Sequence, residues 1–443
     1  MSSLPPDPST AGVTEKIQWA DPGDETLAVA DFGIDTKAQT LSSAWSDYVA
    51  RIKGGNLGSI PAVLGILVLV GFFGGTRHKT FLSVYNFANL LQQAALIIAI
   101  AIAVTFVLVL GEIDLAAGLT AGVTAAAIAA SLKDGRPLVV ALIIGFAAAA
   151  AIGIFTGFLV SRIGIPSFVV TLANFLMWQG VVLQITSEGG TIRVTDKYIV
   201  ALDNGNLSVV ASWLMFAVVV GGFAGARLWT AYGRRRRGVE STPASVIVAQ
   251  TAGLAVLWGV PTALLSQNRA KVEGKVIRGV PWAVLVILLL VVGLTFLVTR
   301  TAWGRHLYAV GGNSEAARRA GINVARIRMS AFVVCALLAG VGGLFIASRL
   351  NSVDPQIGGN DTLLVAVGAA VIGGTSLFGG RGRIVNAVLG GLVLAIIDNG
   401  LPLVGTMAGI NFSKSGVKFI VKGVIVLIAA SVDALSRRSA SST

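Results

Sequence analysis

The sequence predicts an all-α polytopic membrane protein, and three observations carry that prediction. Hydrophobic residues make up 55% of the 443-residue chain and charged residues only 12%, about half the roughly 25% charged share of soluble domains. Apolar runs of about 20 residues, the length a helix needs to cross ~30 Å of hydrocarbon, recur along the chain. Basic residues gather in the short segments between those runs, as expected of loops kept on the cytoplasmic side. A chain this apolar has too few charges to cover a soluble exterior. That excludes a cytosolic enzyme, a disulfide-built secreted domain and a disordered protein.

Residues 1–37 are polar, rich in Pro, Gly, Ser and Thr, and hold seven of the 21 carboxylates. They are expected to form a disordered acidic cytoplasmic tail, with no basic-then-apolar opening of a cleavable signal peptide. Over 38–56, Leu41, Trp45, Tyr48, Val49 and Ile52 recur at spacings of three and four. That spacing gives an amphipathic helix, either lying in the membrane interface or continuing into the first span. The transmembrane domain follows over 57–435, with about twelve spans near 59–75, 88–110, 117–132, 137–161, 165–186, 208–230, 243–265, 281–299, 330–350, 360–376, 384–403 and 416–433. The third and tenth are short and rich in Gly and Ala, so they are expected to be broken or re-entrant. Pro166, Gly180, Pro261 and the glycines of 340–343 are expected at kinks or close helix contacts. Residues 436–443 form a cytoplasmic tail.

With the amino terminus inside, twelve crossings place the run Arg234, Arg235, Arg236 and Arg237 in the cytoplasm, together with the loop 300–328 and Arg437 and Arg438. One loop conflicts with the rule. It carries Arg269, Lys271, Lys275 and Arg278 against Glu273, yet the count puts it outside. The net charge of +13 therefore follows the membrane topology. Nucleic acid is not an expected partner, because no soluble basic face exists. The second to fifth and the ninth to twelfth spans enter the membrane in opposite senses, which predicts an inverted repeat around a midplane path. The stretches GEIDL and GGND (358–361) are expected to correspond.

No glycine-rich phosphate loop ending in Gly-Lys-Ser/Thr occurs, and His78 and His306 are far apart, so neither self-driven chemistry nor a metal site is expected. Cys335, the lone cysteine, lies in an apolar run and reads as a small core residue. The most informative loop reads WGRHLYAVGGNSEAARRAGIN at 303–323. Asn313 or Ser314 can cap a short helix whose first turn holds Glu315, and Gly321 can end it in a left-handed conformation. Ala316 and Ala317 are small enough to let a partner approach closely, while Arg318 offers it charge.

Glu-Ala-Ala, three residues and then Gly resembles the coupling loop of permease subunits of ATP-binding-cassette importers. The whole stretch is similar to the version in the ribose/xylose class of monosaccharide permeases. GEIDLAAG at 111–118, GIPSFVVTLANFLMWQG at 164–180 and IVKGVIVLIAASVD at 420–433 resemble the same family in the same order, over about residues 55–435. Two extra spans within 207–280, joined by RRRRG, resemble the xylose-type branch. Where that branch has Ser-Val after its signature this chain has Ala116 and Ala117, so no hydroxyl acts at 116. The resemblance implies a permease subunit carrying a monosaccharide such as xylose across the bacterial inner membrane, without chemistry on it. It implies as partners a cytoplasmic ATPase, an extracytoplasmic sugar-binding protein and a second permease copy, within membrane lipid. This chain would bind no cofactor, ATP being used by the partner. Gly312, Asn313, Glu315, Ala316, Ala317, Arg318 and Gly321 would dock the ATPase.

For the path, Asn89 and Gln93 share one helix face, with Phe168, Phe175 and Trp178 of the fifth span expected nearby. Asn174 and Asn399 are further amide candidates, although bonding between helices is an equally simple role for each. Asp114 can line the path or cap the third helix. Lys422 can pair with Asp398, and Asp433 with Arg437. The rival reading, an ion-coupled secondary transporter or channel, needs paired intramembrane carboxylates, and only Glu112 with Asp114 offers them. A membrane-embedded enzyme lacks a catalytic set.

Overall fold

A computed structural model describes residues 60–187, 190–238, 241–359, 361–407 and 409–441, without the side chains of 361, 429 and 432–441. The acidic tail, the amphipathic helix at 38–56 and the Asp433–Arg437 pair lie outside what is described. Each of the twelve apolar runs falls on a helix. In chain order these are α1 (Ile60–Phe81), α2 (Val84–Val109), α3 (Ala117–Lys133), α4 (Leu138–Phe158) and α5 (Ser167–Thr186). A short α6 (Lys197–Asn204) precedes α7 (Val209–Arg236), α8 (Ala244–Leu265) and α9 (Trp282–Arg300). Two more short helices, α10 (Ala302–Gly312) and α11 (Ser314–Arg319), lead into α12 (Val324–Leu350). The chain closes with α13 (Asp361–Ile372), α14 (Ile384–Val404) and α15 (Ser415–Ser441). Nine of the described helices are long and apolar enough to span a bilayer. α3 and α13, at 17 and 12 residues, are the short pair expected from their Gly and Ala content.

Polar residues set the helix starts by accepting the free amide hydrogens of the first turn: Ser83 for α2, Asp196 for α6, Ser208 for α7 and Thr301 for α10. Pro166 is a boundary too, not a kink: it immediately precedes α5, where its fixed φ suits a helix entrance. Pro261 lies inside α8. Gly180 meets nothing within 4 Å, so it marks no close contact.

α2 and α12 run antiparallel through the centre. Arg349 at the end of α12 bonds Asn89 near the start of α2, while Arg328 near the start of α12 pairs with Glu112 just past the end of α2. Burial separates centre from rim: 83% of the most apolar stretch of α2 is buried, against 11% for α1 and α7. Around this axis the inverted repeat is visible in the packing. α12 packs on α2, α3 and α4, and α2 packs on α12, α13 and α14. α3 packs on α4 and α5, just as α13 packs on α14 and α15.

The first turn of α3 meets the stretch that leads into α13. A Cβ on Gly118 would lie 2.4 Å from the Gly358 carbonyl oxygen, and one on Gly358, whose φ is +74°, would lie 2.0 Å from that of Gly118. Only glycine permits backbones this close.

The α7–α8 hairpin is closed at its base by a bridge between Asn206 and Pro281 and by Leu207 N–H donating to the Val280 carbonyl at 2.8 Å. The basic loop that conflicted with the charge rule lies at this base, opposite the end that carries α10 and α11. Its charges have structural work there. Arg269 is buried and donates to the carbonyls of Leu265 and Gly279 (2.9 and 3.0 Å) and to Asn206 Oδ1. Lys271 Nζ sits 4.1 Å above the Tyr85 ring.

Candidate functional site: an inner junction, a central break and an outer polar cluster

At the inner end, Asn313 caps α11, its Oδ1 accepting from the amides of Glu315 (3.1 Å) and Ala316 (2.9 Å). Gly321, at φ +82°, ends the turn in the left-handed region. Glu315 pairs with Arg318 (3.7 Å) and Arg319 (3.3 Å) on the surface, where such pairs contribute little to stability. Ala316 is exposed beside them, but Ala317 is buried in the protein's own core. Only one of the two small residues is therefore open to a partner.

Behind this helix three backbone segments touch. Gly380 N–H donates to the Val109 carbonyl (2.8 Å), and the Tyr308 hydroxyl donates to the Gly382 carbonyl (2.7 Å). Burial pushes the Tyr308 phenol above its ordinary pKa, with Arg383 pulling it back, so it donates as a neutral hydroxyl. A Cβ on Gly311 would lie 1.9 Å from the Val109 carbonyl oxygen. The end of α10, the end of α2 and the loop after α13 are thereby locked together, and Trp303 Nε1 ties α10 to Ser330 of α12 (2.8 Å).

In the central break Asp114 is buried. Its Oδ1 accepts from the Ala116 amide (2.9 Å) at the entrance to α3, and its Oδ2 faces the Cys335 thiol at 3.6 Å. The contact with Ala116 is an Asx turn at the mouth of α3 and not a cap on the helix: Ala116 holds the N-cap position, and no side chain caps α3. Cys335 is more than a core filler, because its S–H donates to a buried carboxylate. Glu112 is turned elsewhere: its Oε1 lies 3.3 Å from Arg328 Nε, an ion pair without hydrogen-bond alignment. The two acids have separate partners, so they do not form the shared carboxylate site that an ion-coupled transporter needs.

The remaining path candidates are dispersed. Asn174 donates to Thr156 of α4 (2.7 Å), and Asn399 accepts from Asn86 of α2 (2.8 Å). Both therefore act as ties between helices. Phe168 is exposed at the inner end of α5. Trp178 packs edge-on against Phe155 of α4, at 6.2 Å between ring centroids. α5 packs on α3 and α4, not on α2, so its aromatics do not sit beside Asn89 and Gln93. Gln93 Oε1 is buried without a hydrogen-bond partner. Lys422 pairs with Asp398 at 2.7 Å.

Asn89 belongs to an outer polar cluster that sequence reasoning missed. Arg349 joins it, donating to Asn89 Oδ1 (3.1 Å) and pairing with Asp203 Oδ2 (3.2 Å). Gln92 donates to the Asp203 carbonyl, and Asp203 N–H donates to Ser348 Oγ (2.8 Å). Burial raises the Asp203 pKa to about 6, with Arg349 drawing it down. Asn89, Gln92, Asn204, Asn206, Arg269 and Arg349 line an open cavity of about 520 Å³. It is rich in amides that can donate and accept.

Nine described helices long and apolar enough to span a membrane, two short apolar helices among them and a capped surface helix at the inner end make this a polytopic membrane protein. Residues 86–430 match the family described as branched-chain amino acid transport system / permease component, and the chain belongs to that family. It is 34% identical to the xylose transport system permease protein of Escherichia coli (strain K12), over 87% of this chain and 94% of that one. It is 28% identical to the ribose import permease protein of the same strain, over 84% and 92% of the two chains. With the fructose import permease protein of Rhizobium meliloti it shares 29% identity, over 86% of each. No solved structure matches. The protein is thus a multi-pass permease of the bacterial inner membrane and not an enzyme.

Proposed function

We propose that this chain is the permease subunit of an ATP-binding-cassette importer for a monosaccharide, D-xylose or a related pentose. One observation carries the reading: a capped surface helix, α11, that continues from α10, whose end meets the end of α2 and the loop after α13 as bare backbone. A cytoplasmic ATPase docks on Gly312, Asn313, Glu315, Ala316, Arg318 and Gly321, and uses ATP that this chain does not bind. A second permease copy completes the path, and an extracytoplasmic sugar-binding protein delivers the sugar at the outer end. The outer cavity suits that delivery, since a polyol released from a binding protein needs several weak amide bonds and no covalent chemistry. Movement at α10 and α11 reaches the breaks before α3 and after α13 through the inner junction, which switches the path between its two faces. The similarity to xylose, ribose and fructose permeases supports a sugar, with the two-span insertion favouring xylose.

The test is uptake of labelled xylose, ribose and fructose by cells that make this permease with its ATPase and binding protein. ATP-dependent uptake favouring xylose is expected. Glu315→Lys and Gly321→Pro should remove it while the protein stays inserted. Uptake without the ATPase, driven by an ion gradient, would establish the secondary transporter instead.

A further inference from the structure

We propose that the inner end of α7 is a binding site for anionic phospholipid headgroups. α7 has 28 residues and is therefore ~42 Å long, about eight residues more than ~30 Å of hydrocarbon requires. Its outer end is fixed at the base of the hairpin, so the surplus emerges on the inner side. Counting about 20 residues from Val209 places Trp229 at the interface, with Tyr232 one turn beyond. Both rings stand out from the protein, 79% and 54% exposed, as interfacial aromatics do. Arg234, Arg235, Arg236 and Arg237 follow at headgroup depth, all exposed.

What these guanidinium groups touch is informative. Arg236 lies 4.8 Å from the Tyr232 ring centroid, and Arg235 Nε donates to Ser241 Oγ at 2.8 Å. Among the described residues none of the four forms an ion pair. Glu240 lies outside the described residues, and even a full pair with it leaves three positive charges. α7 packs chiefly on α8, so the cluster projects from a helix whose outer side faces lipid. Fixed cations at headgroup depth, flanked by interfacial aromatics, fit phosphate diesters, which guanidinium binds through paired N–H donors. Topology alone would need positive charge on this side but no lipid preference.

The experiment titrates dansyl-labelled phosphatidylglycerol or phosphatidylcholine into the purified full chain in neutral detergent. Each guanidinium near an anionic surface is worth roughly fivefold in affinity before screening. A preference for phosphatidylglycerol of at least about tenfold is therefore expected at about 50 mM salt, shrinking at high salt. Changing all four residues to Gln should cut it to about twofold, whereas changing all four to Lys should retain most of it. The Lys variant also preserves the charges that orient the hairpin. The proposal is overturned if the Gln variant keeps the full preference, or if the Lys variant loses as much as Gln. It is also overturned if millimolar inorganic phosphate displaces the lipid, which would mark a free-anion site. Loss of ATPase copurification in the Gln variant with lipid preference unchanged would assign the cluster to a protein partner.

Discussion

Gly311 and Gly312 are neighbours in sequence at the end of α10, yet alanine at the two positions should behave in opposite ways. A methyl group on Gly311 would lie 1.9 Å from the Val109 carbonyl oxygen and 3.0 Å from the Gly380 amide nitrogen. Non-bonded heavy atoms attract at about 3.5 Å, so one backbone must retreat by more than about 1 Å. Both atoms belong to the same hydrogen bond, Gly380 N–H to Val109 O at 2.8 Å, and that bond breaks as the gap opens. Overpacking costs about 1–3 kcal/mol and a lost hydrogen bond about 1 kcal/mol more, giving roughly 2–4 kcal/mol for Gly311→Ala. Gly312 has no atom within 4 Å of its missing Cβ. Gly312→Ala should be neutral, or stabilising by up to ~1 kcal/mol through helix propensity. The assay is the temperature at which purified protein in detergent leaves the monodisperse peak on size-exclusion chromatography, together with sugar-stimulated ATPase activity of the reconstituted complex. Gly311→Ala should lower both, whereas Gly312→Ala should not lower the thermal transition, its effect on ATPase activity reporting only whether the docked ATPase leaves room for a methyl group. Equal behaviour of the two variants in both measurements would refute the junction.

Asp114→Asn keeps an oxygen to accept the Ala116 amide, so uptake should survive at a substantial fraction of the parent level, while Asp114→Ala should cost about 1 kcal/mol of stability. Abolished uptake in an abundant, ATPase-binding Asn variant would move Asp114 into the path. Asp203 has a folded pKa of about 6, above its ordinary 3.8. A raised carboxyl pKa means the folded state binds the proton more tightly, so this group's contribution to stability falls as pH rises from about 4 through 6, by at most ~1.4 kcal/mol per unit. Asp203→Asn should flatten the pH dependence of melting across that window, and an unchanged slope would assign it to other groups. On a Cys335→Ala background, Gly274→Cys should react with a membrane-impermeant thiol reagent in intact cells, and Gly238→Cys only after they are opened. The reverse pattern would invert the orientation.

The spans and the capped helix α11 were legible because each rests on a local signal: apolar length, and Asn313 and Gly321 at the offsets a cap and a left-handed stop require. The short α3 and α13 were legible for the same reason, as breaks in hydropathy at Gly and Ala. Contacts between distant residues were not. Asp203 and Arg349 are 146 positions apart, and nothing along the chain marks them as partners. The aromatic residues of α5 looked available to Asn89 and Gln93 because span order says nothing about which spans touch. Asn174 and Asn399 show the same limit from the other side: their polarity inside the membrane signalled that each must find a partner, and Thr156 and Asn86 supply it. Lys422 with Asp398 is the exception, a pair legible because both are isolated charges in apolar spans, and it forms at 2.7 Å.

On the proposed function, the inner junction would let both short helices answer to one surface helix. Gly111 begins the break that leads into α3, and its Cβ would lie 3.3 Å from the Phe378 carbonyl oxygen. Phe378 belongs to the loop leaving α13, and the next residue, Gly379, has no room for a Cβ against the Gly311 carbonyl oxygen at 2.7 Å or the Gly111 amide at 2.9 Å. The entrance of α3, the exit of α13 and the end of α10 therefore meet as bare backbone, with no flexible side chain between them to absorb a displacement. Close-packed contacts of this kind transmit strain instead of dissipating it. On the proposed function, a shift of α10 is felt at the inner ends of both short helices together. Because the first turn of α3 also meets the stretch leading into α13, at Gly118 and Gly358, the two halves would on that reading respond together.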